Sequence, residues 1–117
     1  MTGMETPFVD ELVRRLRMGF SEVAVDIRPG GAATVRFRAS VVDHTLALYV
    51  HEPELGAAVT DLGHEVRDDL WPGASVEAAG FNILLVHLDE VLATRDSSEP
   101  LRITRRGLTW PDQLRVD

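Results

Sequence analysis

Three consecutive stretches between residues 22 and 50 alternate apolar and polar side chains with a period of two, and this restricts the fold more than any other feature of the chain. In the first, Val23, Val25 and Ile27 alternate with Glu22, Ala24, Asp26 and Arg28. In the second, Val35, Phe37, Ala39 and Val41 alternate with Thr34, Arg36, Arg38 and Ser40. In the third, Leu46, Leu48 and Val50 alternate with Thr45, Ala47 and Tyr49. Successive side chains of a strand point to opposite faces, so each stretch has one apolar and one wet face. Pro29-Gly30-Gly31 and a tight turn near Asp43-His44 separate the stretches. The pattern predicts an antiparallel meander whose apolar face other elements must cover.

Two amphipathic helices can supply that cover. The first runs from about Thr6 to Met18, with Thr6 as N-cap and Pro7 in the first turn. Val9, Leu12, Val13, Leu16 and Phe20 recur at helical spacing, and Gly19 is its stop. Asp10 and Glu11 lie near the positive end of the helix dipole, and Arg14, Arg15 and Arg17 near its negative end. The second helix spans about residues 53–70, with Leu55, Val59, Leu62, Val66 and Leu70 as a narrow apolar seam. Trp71-Pro72-Gly73 ends it.

Beyond that point the pattern divides. Ser75–Ala78 reads as a short strand. Phe81–Ala93 fits a buried strand or a helix, and periodicity alone does not separate the two. Leu101–Thr104 reads as a strand, Arg106-Gly107 as a turn and Leu108–Trp110 as a short return strand. The expected architecture is a single α+β domain over residues 1–117. Its antiparallel β-sheet has about four to six strands, with two main helices packed on one face. The element order is roughly α-β-β-β-α-β, then a strand or helix, then β.

Composition bounds the function. The chain has 117 residues, 44% of them hydrophobic, and a net charge of −7. Without cysteine it forms no disulfide and no thiolate metal site, which suits a reducing compartment. All 12 basic residues are Arg, which points to the codon bias of a GC-rich, bacterial genome. The start MTGMETPFVDELVRRLR is acidic before it is basic and lacks the apolar core of a signal peptide. No run of about 18 apolar residues exists to span a membrane. The expected location is the cytoplasm, and the negative charge opposes non-specific association with nucleic acid.

The search for chemistry identifies no catalytic, cofactor-binding or metal-ligating residue. His44 and His51 bracket the third strand and lie roughly 23 Å apart if it is extended, too far to share a zinc ion. No Ser lies in a G-x-S-x-G turn. Asp89-Glu90 near His87, and Asp68-Asp69 near His64, supply acid–base residue types on exposed faces without shelter. Gly30-Gly31 opens no helix, so it reads as a hairpin turn and not a phosphate cradle. Arg28, Arg36 and Arg38 share a wet sheet face or its edge. Arg102, Arg105 and Arg106 cluster in LRITRRG. Few aromatics occur and none shares the wet face of its own strand with these arginines, so the stacking platform of a single-strand binder is missing. Pairing with acids across strands, or with the acidic helix, accounts for the arginines.

The stretch Leu84–Gly107, LLVHLDEVLATRDSSEPLRITRRG, is similar to the helix–loop–strand segment of prevent-host-death antitoxins. It covers about a fifth of the chain. In that family the segment lies near the N-terminus and follows a DNA-contacting strand and turn. Here it lies near the C-terminus, and no residue role passes with it.

Three functional readings follow. The first is a non-enzymatic protein-interaction domain of inhibitor, immunity or adaptor type. Its contact surface would be the acidic helix, through Glu54, Asp61, Glu65 and Asp68, and its protein partner is unidentified. The second is an antitoxin-like or regulatory DNA-binding protein using Arg102, Arg105 and Arg106. The third is a small secretion-chaperone-like homodimer, suggested by the α-βββ-α-ββ order and acidic charge.

Overall fold

The computed structural model describes residues 5–39, 45–94 and 101–109. Helix α1, Pro7–Gly19, is followed by strands β1, Ser21–Ile27, β2, Ala32–Arg38, and β3, Leu46–His51. Helices α2, Glu52–Leu70, and α3, Val76–Thr94, come next, then strands β4, Leu101–Thr104, and β5, Gly107–Thr109. The five strands form one sheet in the order β1-β2-β3-β4-β5. All neighbours are antiparallel except β3 and β4, which run parallel because α2 and α3 carry the chain back across the sheet. The fold is thus α+β, with helices on one sheet face.

Helix α1 buries Val9, Leu12, Val13 and Leu16, as its apolar stripe predicts. Its N-cap differs from expectation. The Thr6 side chain makes no cap hydrogen bond. Its Oγ1 instead donates to Asp10 Oδ1 at 3.3 Å. The free amides of the first turn are met from α2: Phe8 N donates to Glu52 Oε2 at 2.9 Å and Val9 N to Glu52 Oε1 at 3.0 Å. Glu52 is only 7% exposed, so this carboxylate acts as a buried anion at a helix N-terminus.

In β2 and β3 the alternation holds, with Ala33, Val35, Phe37, Leu46, Leu48 and Val50 buried. It weakens in β1, an edge strand whose register slips between Ser21 and Ala24. Val23 and Val25 are half-buried, and Ile27, at the end of this edge strand, is 46% exposed. Gly30 and Gly31 adopt φ of 86° and 87°, which explains glycine at both places in the β1–β2 turn. The expected turn at Asp43-His44 lies outside the described residues.

Residues 75–78 are not a strand. Ser75 caps α3, its Oγ accepting the Ala78 amide at 3.1 Å, and the helix continues through the ambiguous 81–93 stretch. Two glycines let α3 lie directly on α2. A Cβ on Gly63 would come 2.0 Å from the Val76 carbonyl oxygen, and one on Gly80 would come 2.0 Å from the Val59 carbonyl oxygen. The α2 seam shifts accordingly. Leu55, Ala58, Val59 and Gly63 are buried, whereas Leu70, at 54% exposure, runs beyond the core. Phe81, Leu84, Leu88 and Val91 of α3 join the same core as α1 and the inner sheet face.

Candidate functional site

Because the described helices occupy one face of the sheet, the polar positions of the strands form a second face that no described helix covers. Strand register sets its geometry. Thr34 of β2 lies opposite Tyr49 of β3, and Tyr49 lies beside Arg102 of β4. Arg36 lies opposite Ala47, two residues along β3 from Tyr49. Strand spacings of ~4.8 Å and rises of ~3.4 Å per residue put the Arg36 and Arg102 Cα atoms about 12 Å apart, with Tyr49 on the strand between them. A groove of about 470 Å³ occupies this face, lined by Arg28, Arg36, Tyr49, His51, Glu54 and Arg102 among others.

The sequence reading did not bring Tyr49 and the arginines together. Along the chain Phe37 lies between Arg36 and Arg38 but is buried in the core, whereas across the strands the exposed Tyr49 stands between Arg36 and Arg102. The Arg102 guanidinium carbon sits 6.0 Å from the Tyr49 ring centroid, at the outer limit of a cation–π contact. Tyr49 remains 39% exposed, so its ring is available at the surface. Small neighbours, Ala32, Thr34 and Ala47, leave the ring standing above the sheet.

The expected neutralisation of the arginines by acids is only partial. Arg38 pairs with Glu22 across β1 and β2 at 3.4 Å, and Arg28 with Asp26 at 3.7 Å. Arg36 and Arg102 are exposed and make no ion pair among the described residues. No arginine outside α2 pairs with the acidic helix among those residues.

His51 is fixed at the end of the groove. Its Nε2 lies 3.0 Å from the Gly30 carbonyl oxygen. A carbonyl only accepts, so Nε2 carries the hydrogen and Nδ1 faces Glu54 Oε1 at 3.7 Å. The ring is thereby committed to the β1–β2 turn. The groove offers positive charge, an aromatic face and a rim carboxylate. These groups suit the binding of an anion.

The residues singled out from the sequence divide between surfaces. Glu54 is at the rim of the groove. Asp61, Glu65 and Asp68 are exposed further along α2. At about 100° per residue, these four carboxylates fall on one stripe of the helix. Only Arg102 of the arginine trio lines the groove. Arg105 and Arg106 are exposed in the β4–β5 turn, where Arg106 N donates to Thr104 Oγ1 at 3.3 Å. His44 lies outside the described residues. No group of three or more His, Asp or Glu residues is placed to hold a metal ion among those described. No helix among them is long and apolar enough to cross a membrane.

No family model, no curated protein and no solved structure matches the chain.

Proposed function

We propose that this chain is a non-enzymatic binding domain whose contact surface is the uncovered sheet face, where it takes an anionic group of its partner. One observation carries this reading: Arg36 and Arg102 flank Tyr49 in a single groove and have no ion-pair partner among the described residues. Tyr and Arg are, with Trp, the side chains enriched as energetic anchors at interfaces. An unpaired guanidinium is a ready donor for a carboxylate or phosphate.

A second reading uses the α2 stripe as the contact for a basic protein partner. It is favoured by the exposure of Glu54, Asp61, Glu65 and Asp68 on one side of a helix whose other side is locked against α3.

One experiment separates the two. The immobilised chain is exposed to native-host lysate, and bound proteins and small molecules are identified by mass spectrometry. The sheet-face reading expects a specific partner to be lost with Arg36→Glu/Arg102→Glu and retained with Asp61→Arg/Glu65→Arg/Asp68→Arg. The opposite pattern would replace it with the helix reading.

A further inference from the structure

We infer that the groove on the uncovered sheet face binds a single nucleotide, with its phosphate between Arg36 and Arg102 and its base against Tyr49. This rests on the reading of that face as the contact surface and names the ligand class it takes.

The phosphate follows from charge and geometry. Two guanidinium groups without ion-pair partners among the described residues stand on either side of Tyr49, on strands one removed from each other. Their Cα separation of about 12 Å lets two long side chains converge on one group between them. A phosphomonoester carries a charge of about −1.5 to −2 and three acceptor oxygens, so two guanidinium groups can bond it from different sides and neutralise it. A lone carboxylate carries half that charge and two oxygens, and leaves one arginine unmatched.

The base follows from Tyr49. Tyr49 lies on the central strand among Ala32, Thr34 and Ala47, is 39% exposed, and is covered by no helix among the described residues. An exposed aromatic side chain on a strand, beside arginine, is a stacking surface that accepts any base. Glu54 lines the same groove and is an acceptor of the kind that ribose hydroxyls need.

The ligand is small and not a strand of nucleic acid. The groove's volume of about 470 Å³ lies in the range of small-molecule sites. The chain carries a net charge of −7, Asp26 lies opposite Thr34 on this face and Glu54 lines the groove. One phosphate held by two arginines tolerates that field, whereas a polyanion lying across the molecule meets repulsion along its length.

The test is an NMR titration of the full chain with AMP, GMP, CMP and UMP. Parallel titrations use inorganic phosphate, adenosine, a ten-residue oligouridylate and a glutamate-rich peptide. The expected result is saturable shifts of the Thr34, Arg36, Tyr49 and Arg102 amides with at least one mononucleotide. Arg36→Ala and Arg102→Ala should each weaken that affinity about ten-fold or more. Tyr49→Ala should weaken the nucleotide while leaving inorganic phosphate unchanged. Backbone spectra of the free variants show whether each is folded, and Tyr49→Leu serves if Tyr49→Ala is not. Binding of the peptide on this face, with no response to any mononucleotide, would overturn the nucleotide inference and leave the sheet-face reading standing. Silence of the face towards every probe would overturn both. Phosphate binding as tightly as every nucleotide would remove the base, and an oligonucleotide binding far more tightly than any monomer would remove the small ligand. Either outcome overturns the inference.

Discussion

The carboxylate of Glu52, the first residue of α2, accepts the Val9 amide of α1 at 3.0 Å from 43 positions away in sequence. The second oxygen accepts the Phe8 amide at 2.9 Å. One side chain therefore satisfies two donors that a helix N-terminus otherwise leaves open, and it fixes α1 against α2. Glu52→Gln keeps one carbonyl acceptor but turns an NH2 group towards the other amide and removes the charge. The expected loss is about 1–3 kcal/mol, the range for a charged hydrogen bond and its buried partner. It should appear as a lower urea midpoint with an unchanged denaturant slope. A change below about 0.5 kcal/mol would mean that water replaces the carboxylate.

The α2–α3 contact depends on the absence of two Cβ atoms. Gly63→Ala and Gly80→Ala each place a methyl 2.0 Å from a backbone carbonyl oxygen, which no rotamer change relieves. Alanine gains about 1 kcal/mol of helix propensity over glycine. Parting the helices should outweigh that gain and leave a net loss of about 1–3 kcal/mol. Gly56→Ala is the contrast, since the nearest atoms to its Cβ belong to the Phe8 ring, at 3.2 Å, and a ring can shift. Its net effect should stay within about 1 kcal/mol, because propensity and crowding oppose each other. Thermal melts of the three variants test the ordering.

Much of this fold is legible because its signals are local. The α1 stripe and the alternation in β2 and β3 come directly from side-chain spacing, and the structure keeps both. The first turn of α3 is not legible by the same route. Ser75–Ala78 carries a strand-like alternation, but the Ser75 cap and the close approach at Gly80 favour a helix once α2 is present. Ile27 has the pattern of a core residue but lies at the end of the edge strand, where it is largely exposed. The groove is the least legible part. Arg36 and Arg102 belong to separate sequence clusters, and only the parallel β3–β4 pairing, set by the α2–α3 crossover, puts Tyr49 beside Arg102. Glu52 escapes notice because its partners are backbone amides, which leave no mark in the sequence.

Acid stability should carry a signature of Glu11. Hydrogen bonds from Arg14 and Arg15 hold its carboxyl at about 2, below the ordinary 4.5. A group depressed on folding stabilises the fold fully above its unfolded value, and that contribution disappears as pH falls through the folded one. The Glu11 contribution is therefore present above about pH 4.5 and lost between there and about pH 2. The pairs are partly exposed, so it should amount to less than about 1 kcal/mol. Glu11→Gln should lower stability at pH 7 and converge on the parent near pH 2, as read by urea denaturation across that range. Arg15→Ala should cost more than Arg14→Ala, because Arg15 also donates to Asn82 Oδ1 at 2.8 Å and lies over the Phe81 ring at 5.1 Å.

Arg36→Ala and Arg102→Ala should leave stability within about 0.5 kcal/mol of the parent, as expected for exposed side chains away from caps, cavities and buried networks. Neither has an ion pair to lose among the described residues, and the cation–π contact of Arg102 with Tyr49 is long. Arg38→Ala is the internal control, since it removes a cross-strand pair with Glu22 at 3.4 Å and should cost up to about 1 kcal/mol. The comparison bears directly on function. If Arg36 and Arg102 held the sheet together, their removal would lower the urea midpoint at least as far as that of Arg38. If they are kept for a ligand, their removal changes binding and leaves the midpoint in place.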